Sequence, residues 1–371
     1  MTKDANVAKN INCSGRAYLE TGRIVEIQEV LAFRQGQFTD MFMRGAVIVA
    51  QEDKILTKIR KFDDSLVYSH SVNYWADVLA CDLWSGNKVD ANLAVIGELE
   101  QYDWLLINQN TLMWPLTILL RKLLPRVKII ALYEGSLDSI GYYSSKEKIL
   151  YFETLKNIDC LAALVEEAIP FHVLYTDKPI HWLGVPYPLN FVRSLKVDKS
   201  KREKIIALGS ALNHRNTLTS LLVALRGFPE DFQIMFQSFN DGEEEFINKS
   251  LSKTDYDRII LHQPLSWIDF LKKYSSVYAC VNLCNRYTWG RINLDMAALG
   301  IPTIGTRGCE TQQKLFPSLT VSDAFRSIPE ALNLCKAILR DSVLQDITHS
   351  IDNYNEAEAI IRFNNILTAI F

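Results

Sequence analysis

The sequence predicts an α/β protein made of two Rossmann-like domains that face each other across a cleft. Its 371 residues exceed the roughly 250–300 at which a single hydrophobic core stops growing, so two domains are expected. Short apolar runs alternate with amphipathic stretches along most of the chain, which is the pattern of βαβ units and parallel sheets. Prolines, a glycine and then a charged stretch interrupt this pattern near residues 181–204 and indicate a domain boundary there.

The first domain is predicted over residues 1–188. Residues up to about 45 show no clear periodicity, and no element is assigned to them. Beyond them, strand candidates are separated by stretches with helical spacing. These candidates are SLVYS (65–69), WLLINQN (104–110), VKIIALYEG (127–135), CLAALVEE (160–167) and FHVLYTD (171–177).

The second domain is predicted over residues 189–345, followed by a C-terminal helix within 346–371 that packs back across a domain face. Ligands of open parallel sheets bind beyond the carboxyl ends of the strands, so site residues are expected in the loops that follow them. The strand candidates here are KIIAL (204–208), FQIMFQS (232–238), RIILHQ (258–263), VYACVNL (277–283) and IPTIGT (301–306).

Composition excludes several function classes. The net charge is -3 and lysine and arginine are dispersed, whereas proteins that bind nucleic acid usually carry a basic face. The first residues lack the apolar core of a signal peptide, and no run approaches the ~18 apolar residues of a membrane span, so a cytoplasmic location is expected. Seven irregularly placed cysteines favour reduced thiols, and Cys280 and Cys284 are interpreted as buried thiols, not a metal pair. The sequence predicts no cofactor and no metal.

The segment RYTWGRINLDMAALGIPTIGT (286–306) is the most informative motif. It predicts a loop after a buried strand and then a helix that begins at about Arg291. Gly290, Arg291 and Ile292 would lie at a helix N-terminus, where backbone N–H groups and the helix dipole favour an anion such as a phosphate. Asp295 follows one turn later, and its carboxylate can accept two hydrogen bonds from a vicinal diol such as that of a ribose. On spacing alone, a purely structural role for Gly290 and Asp295 is equally consistent.

This segment resembles the signature of the family-four glycosyltransferases, which have the two-domain GT-B fold. In that signature an acid, a small residue, an aromatic residue and a glycine precede a helix that carries a second acid. Tyr287, Thr288, Trp289, Gly290 and Asp295 occupy the corresponding positions. The resemblance implies that Asp295 binds the ribose of a nucleotide. It also singles out Tyr287, because the family has at that position an acid that contacts the transferred sugar.

The resemblance continues in ALGSALNHRNTL (207–218). It implies that Gly209 lets a diphosphate approach the backbone and that Arg215 is the basic residue that clamps it. Ser210 stands where the family often has a second arginine, and Arg291 is a candidate for that missing cation. The loop after RIILHQ resembles the segment that holds the nucleotide base. The predicted donor-site residues are Gly209, Ser210, Gln237, His262, Gln263, Tyr287, Thr288, Trp289, Gly290, Ile292 and Asp295.

In the first domain, the strand and turn of HWLGVPYP (181–188) resemble those that lead to the interdomain linker of the family. Glu134 ends a strand at the position where the family has residues beside the donor sugar, so the resemblance implies a contact with the reacting sugar or the acceptor. Asn108 and Gln109 can hydrogen-bond sugar hydroxyls, although a loop-capping role is equally consistent. The basic, apolar stretch 113–128 is interpreted as a crossover helix, with a membrane-surface helix as the alternative.

Together these features predict a metal-free hexosyltransferase that transfers glucose from UDP-glucose, with retention, to a saccharide or lipid-linked acceptor. The resemblance places it near bacterial exopolysaccharide or cyanobacterial-type envelope enzymes. The predicted catalytic residues are Arg215, Glu134 and Arg291. The expected partners are the UDP-sugar and the acceptor, with no nucleic acid and at most peripheral contact with the inner face of the membrane. A nucleotide-sugar epimerase of the same fold and a non-catalytic sugar-nucleotide-binding protein are the alternatives.

Overall fold

The computed structural model describes residues 16–18, 24–26, 43–60, 72–89, 94–134, 139–209, 215–238, 241–340 and 350–371. It divides into two compact units, the first comprising Met1–Asn190 with Asn353–Phe371 and the second comprising Phe191–Asp352. The predicted strand SLVYS and the predicted site residue Ser210 lie outside the described residues.

The secondary structure alternates between strands and helices in both units. The strands are β1 (Arg16–Tyr18), β2 (Ile24–Glu26), β3 (Gly45–Val49), β4 (Thr57–Arg60), β5 (Asp82–Ser85), β6 (Trp104–Gln109), β7 (Lys128–Tyr133), β8 (Cys160–Ala163), β9 (Ile180–Trp182), β10 (Ile205–Leu208), β11 (Gln233–Gln237), β12 (Ile259–His262), β13 (Ala279–Asn282), β14 (Thr303–Thr306) and β15 (Thr320–Val321). The helices are α1 (Tyr74–Val78), α2 (Ala94–Leu99), α3 (Met113–Leu123), α4 (Ser139–Tyr142), α5 (Ser145–Lys156), α6 (Ile169–His172), α7 (Leu189–Ser194), α8 (Thr217–Gly227), α9 (Asp241–Ser250), α10 (Lys253–Tyr256), α11 (Trp267–Tyr274), α12 (Arg291–Ala298), α13 (Glu310–Leu315), α14 (Ile328–Leu339) and α15 (Glu356–Ile370).

The first unit is built on a sheet with the strand order β4-β5-β3-β6-β7-β8-β9 in its described part. All neighbouring strands are parallel except β4 and β5, which are antiparallel. The strands at the centre, β3 and β6 to β8, consist almost entirely of buried apolar residues, as expected for a parallel sheet that is covered on both faces. The prediction of a parallel α/β domain is therefore confirmed for this unit.

One predicted strand of the first unit is wrong. The stretch 171–177 continues α6, which has a proline in its first turn, and then forms a turn, and the sheet strand begins only at Ile180. Val173 and Leu174 are 59% and 78% exposed, so the apolar residues that suggested a strand are not buried in the sheet. The strands β1 to β5 were not predicted. The first three lie in or begin at the end of the stretch without clear periodicity, and β5 begins with a buried acid, Asp82.

The C-terminal helix α15 packs within the first unit. The Phe363 ring lies edge-on to Trp104, with centroids 4.8 Å apart. The Arg362 guanidinium lies 4.4 Å from the ring centroid of Trp182 and donates from Nε to the Leu183 carbonyl at 2.8 Å. At the start of the helix, the Tyr74 hydroxyl donates to the Glu356 carboxyl. Aromatic packing and these hydrogen bonds fix both the face and the register of the helix.

Burial raises the pKa of Glu356 from its ordinary value of 4.5 to about 7, and the Tyr74 hydrogen bond opposes this rise. The folded state therefore favours the neutral acid, whose contribution to stability is complete below pH 4.5 and is lost as the pH rises through about 7. We expect Glu356→Gln, which is neutral at every pH, to raise the melting temperature relative to the wild type more at pH 8 than at pH 5. Parallel melting profiles across this range would contradict the assignment.

The second unit is built on a parallel sheet with the strand order β12-β11-β10-β13-β14-β15. Its five predicted strands are confirmed as β10 to β14, and β15 was not predicted. The predicted helix after RYTWG is confirmed as α12, which begins at Arg291 and is followed by Gly300 at a φ of 72°. The chain fills one side of the sheet with β11 and β12 before it crosses back to β13, so the strand order reverses between β10 and β13.

Candidate functional site

Several predicted site residues lie in the loops that follow β10 and β13, where the strand order reverses. Loops that leave adjacent strands in opposite directions open a crevice at the carboxyl ends of those strands. Gly209 follows β10 and lies against Asn282, the last residue of β13, so that a Cβ on Gly209 would overlap Asn282 Oδ1. Asn282 Nδ2 donates to Asn293 Oδ1 in α12 at 2.9 Å. Gly209 is thus required by packing at this crevice, independently of any ligand.

Arg215 and Asn216, just before α8, both have left-handed backbone conformations, with φ values of 53° and 62°. Such a conformation costs about 1–3 kcal/mol for a residue with a side chain and persists only where the surroundings enforce it. Asn216 Nδ2 donates to the carbonyls of Leu283, at 3.0 Å, and Ala324, at 3.3 Å. These bonds fasten the start of α8 to the end of β13 and so fix the backbone that carries Arg215.

The loop after β13 delivers Gly290 to the N-terminus of α12. Gly290 has a φ of 79°, and a Cβ there would lie 2.6 Å from Thr311 Oγ1, so only glycine fits. Thr311 holds this loop, because its backbone N–H donates to the Trp289 carbonyl at 3.1 Å and its hydroxyl donates to the Gly290 carbonyl at 2.6 Å. The start of α12 therefore presents the positive end of the helix dipole, which favours an anion.

Two buried thiols, Cys284 after β13 and Cys309 after β14, have pKa values that depend on the charges near the end of β13. The hydrogen bond with Cys309 lowers the pKa of Cys284 to about 7, and the positive charges of Arg215 and Arg286 act in the same direction. That hydrogen bond raises the pKa of Cys309, an effect that Arg215 opposes. Surroundings that stabilise a thiolate also stabilise a phosphate oxygen. Arg215, predicted from the sequence as a phosphate clamp, therefore contributes positive potential beside the end of β13.

Asp295 lies in the second turn of α12 and is only 2% exposed. Trp267 Nε1, at the start of α11, donates to Asp295 Oδ1 at 3.2 Å. Arg291 Nε lies 3.7 Å from Asp295 Oδ2, and its guanidinium stacks over the rings of Trp267, at 4.6 Å, and Trp289, at 5.9 Å. A phosphate at the helix N-terminus would have to compete with these contacts for Arg291. Trp267 thus contacts both the acid and the arginine, and Trp289 contacts the arginine.

Solved structures with the same architecture include Anabaena Alr3699/HepE in complex with UDP-glucose, at a TM-score of 0.64 and 8% identity over 87% of this chain and 99% of that one. They also include sucrose-phosphate synthase from Thermosynechococcus elongatus, at a TM-score of 0.62 and 13% identity over 88% and 99% of the two chains. A UDP-forming alpha,alpha-trehalose-phosphate synthase from Burkholderia xenovorans, in complex with glucose-6-phosphate, matches at a TM-score of 0.59 and 10% identity over 88% and 100%. The chain has the GT-B fold. No family model and no curated protein matches the sequence.

Tyr287, which the sequence resemblance aligns with the first acid of the family-four signature, is 62% exposed. Thr288, next to it, is fastened to the loop after β14 because its N–H donates to the Gly308 carbonyl at 3.0 Å. Ile292, at the second position of α12, is half-buried. Tyr287 is therefore an exposed residue of this loop, as is Asn285, whereas Arg286, Thr288 and Trp289 are half-buried.

The ends of β11 and β12 place Gln237 beside His262, which are partners in the parallel register. His262 Nδ1 lies 2.8 Å from the Gln263 carbonyl and Nε2 lies 3.0 Å from the Tyr274 hydroxyl. Because a carbonyl can only accept, the proton is assigned to Nδ1, and Nε2 accepts from the tyrosine. Burial lowers the pKa of His262, which favours this neutral form. Both ring nitrogens thus have structural partners, which leaves the exposed Gln263 as the more accessible candidate for base contacts.

The first unit of the GT-B fold contains Glu134, which directly follows β7 and is exposed. Asn108 Nδ2, in β6, donates to Glu134 Oε2 at 2.9 Å, so these two predicted residues lie together. Gln109 does not join them, because it is 4% exposed and its amide nitrogen donates to the Thr117 hydroxyl at 3.0 Å. Of the two amides that were candidates for sugar binding, only Asn108 is paired with the acid.

The basic stretch 113–128 contains α3, whose Met113 and Trp114 are fully buried. Arg121 forms an ion pair with Asp159 and donates from Nε to the Asn157 carbonyl at 3.1 Å. These contacts agree with the crossover-helix interpretation. Within the described ranges, no helix is long and apolar enough to cross a membrane, and no group of three or more His, Cys, Asp or Glu side chains could hold a metal.

The sequence did not identify several residues that shape this site. Asn216 had a detectable signal, because an asparagine directly before a helical pattern is a common N-cap. No sequence signal pointed to Asn282, Asn293 or Thr311, because their partners belong to other elements of the fold. Trp267 was not among the predicted site residues, and its bond to Asp295 forms only when α11 and α12 are brought together.

Proposed function

We propose that this chain is a glycosyltransferase that uses a nucleotide-diphosphate sugar, with UDP-glucose as the donor. The observation that carries the proposal is the grouping of four features at the reversal point of the second sheet. The first feature is a glycine packed closely against the neighbouring strand, and the second is an arginine with a left-handed backbone conformation. The third is a helix N-terminus preceded by a glycine with positive φ, and the fourth is an acid one turn into that helix. They are provided by Gly209, Arg215, Gly290 and Asp295.

Each feature has a role in nucleotide-sugar chemistry. The diphosphate gains negative charge as the bond to the sugar breaks, and Arg215 with the N–H groups of α12 stabilises that charge without rearrangement. Asp295 accepts hydrogen bonds from the ribose hydroxyls. Glu134, which Asn108 hydrogen-bonds in the first unit, offers carboxylate oxygens to sugar hydroxyls. Transfer proceeds with retention, with the acceptor attacking on the face from which the diphosphate leaves, so that no enzymic nucleophile is needed.

The structural neighbours support this choice of substrate class. One of them was solved with UDP-glucose, and another, a UDP-forming synthase, was solved with a sugar phosphate. By analogy, the acceptor is a saccharide or a lipid-linked saccharide, and the product belongs to polysaccharide biosynthesis. The exposed Tyr287, in place of the first acid of the signature, is the residue at which we expect the donor preference to differ from that of the family.

The test is nucleotide release from a panel of UDP-sugars and GDP-sugars, measured with and without saccharide acceptors. We expect release of UDP from UDP-glucose above the release from the other donors, and faster release when an accepted saccharide is present. Formation of an isomeric UDP-sugar without acceptor would identify an epimerase instead. Binding of UDP-sugars without release or isomer formation under any of these conditions would identify a binding protein.

A further inference from the structure

Trp267 makes two different contacts in the proposed donor site. The edge of its indole donates a hydrogen bond to Asp295 Oδ1 at 3.2 Å, and its face lies 4.6 Å from the guanidinium carbon of Arg291. Arg291 in turn lies 3.7 Å from the other oxygen of Asp295. One ring therefore orients both members of an acid–cation pair.

The position of this ring is itself fixed by local structure. Trp267 is the first residue of α11, and the preceding Ser266 caps the helix by accepting a hydrogen bond from the Asp269 N–H at 3.2 Å. The ring of Phe191 packs beside it, with centroids 6.4 Å apart. The cap fixes the start of the helix that carries the indole, and the Phe191 ring adds only a loose packing contact.

We propose that Trp267 is a positioning residue for nucleotide recognition, which holds the Asp295 carboxylate in the orientation that receives the ribose hydroxyls. This inference rests on the proposed function. A carboxylate offers about four lone-pair sites, and the indole N–H takes one of them, so acceptor capacity remains for a diol. Without the indole N–H, Asp295 keeps Arg291 as a neighbour, but the bond to Trp267 that fixes Oδ1 is lost.

The test uses Trp267→Phe, which keeps an aromatic ring near Arg291 and removes the pyrrole part of the indole with its N–H. Dissociation constants are measured for UDP and for 2′-deoxy-UDP in the full-length protein. A hydrogen bond to a charged group contributes about 1.5–3 kcal/mol, so the wild type is expected to bind UDP roughly 10 to 100 times more tightly than 2′-deoxy-UDP. In Trp267→Phe this ratio is expected to fall below about 3, because the 2′-hydroxyl finds no oriented acceptor.

Two further variants separate positioning from general damage. Phe191→Leu alters the packing beside the indole but leaves the N–H to Asp295, so it is expected to keep the ratio of the wild type. Asp295→Asn removes the negative charge and replaces one of the two acceptor oxygens by an NH2 donor. If Trp267 acts through Asp295, Trp267→Phe has no further effect once Asp295 is replaced. The double variant Trp267→Phe/Asp295→Asn then prefers UDP over 2′-deoxy-UDP as strongly as Asp295→Asn alone does. The shift of melting temperature on addition of each nucleotide gives the same comparison for a variant of low stability.

The outcomes are distinct. Retention of the wild-type ratio in Trp267→Phe would overturn the inference and leave the proposed function intact. Equal loss of the ratio in Phe191→Leu would also overturn it, because packing alone would then explain the effect. A wild type that binds UDP and 2′-deoxy-UDP equally would remove the ribose role of Asp295 and, with it, that of Trp267. A wild type that binds neither nucleotide would reject the proposed function.

Discussion

Arg215→Ala is expected to lower the rate of UDP release from UDP-glucose by about 10²–10³, the loss that follows removal of one preorganised group that stabilises charge in a transition state. The guanidinium contributes positive potential at the end of β13, where it also acts on the pKa values of Cys284 and Cys309. Alanine keeps a Cβ at a φ of 53°, so the backbone strain is unchanged and the effect reports the side chain alone. The measurement is the steady-state rate with the preferred donor.

Arg215→Lys keeps the charge but not the planar fork, so an intermediate rate is expected. Arg226→Ala is the matched control. This exposed arginine pairs with the buried carboxylate of Asp255 at 2.8 Å on the same unit, so its loss is expected to lower stability by about 1–3 kcal/mol with no change in rate. If Arg215→Ala and Arg226→Ala released UDP equally fast, Arg215 would be a structural residue and the phosphate clamp would have to be sought elsewhere.

Gly290→Ala is expected to weaken UDP binding by more than about tenfold. A left-handed conformation costs a residue with a side chain roughly 1–2 kcal/mol, and the added methyl would also lie 2.6 Å from Thr311 Oγ1. The loop must then move, and the first N–H groups of α12 move with it. Isothermal titration with UDP measures the loss.

Gly300→Ala, at the other end of the same helix, is the matched control. It has a φ of 72°, and the nearest atom to its added methyl is the flexible Cε of Lys196 at 2.7 Å. Both variants are expected to lower the melting temperature, because both incur the same backbone cost. Only Gly290→Ala is expected to lose UDP affinity. Similar losses of affinity in both would show that α12 is needed only for folding.

The regular parts of the fold were predictable because they depend on local patterns. The apolar runs that became β6, β7, β8, β10, β11, β13 and β14 are short, mostly buried and separated by helical spacing, and β12 at the sheet edge is half-buried. The prediction failed where local pattern and environment disagree. Residues 171–177 are apolar but partly exposed, and β5 begins with the acid Asp82, whose burial depends on partners such as Lys58, 3.0 Å away.

The candidate site likewise has residues that the local sequence predicts and contacts that it does not. The turn at Gly290, the helix from Arg291 and the acid at Asp295 follow from spacing within one segment, so the sequence was sufficient to predict them. The same reasoning could not show that Arg291 would be taken up by Asp295 and two indole rings, nor that Gln109 would lie in the core. These outcomes depend on which side chains meet across different loops.

The sequence by itself determined the two α/β units, the succession of β10 to β14 along the chain and the helix N-terminus at Gly290. Periodicity and turn chemistry, on which these features depend, act over a few neighbouring residues. Only the tertiary structure decided which residues surround that helix. Asn216 is fastened to the carbonyls of Leu283 and Ala324, and Asp295 is bound by Trp267, through contacts between segments far apart in the chain. Such contacts are fixed by how the strands order themselves in the sheet, and strand order is not contained in any local stretch of sequence.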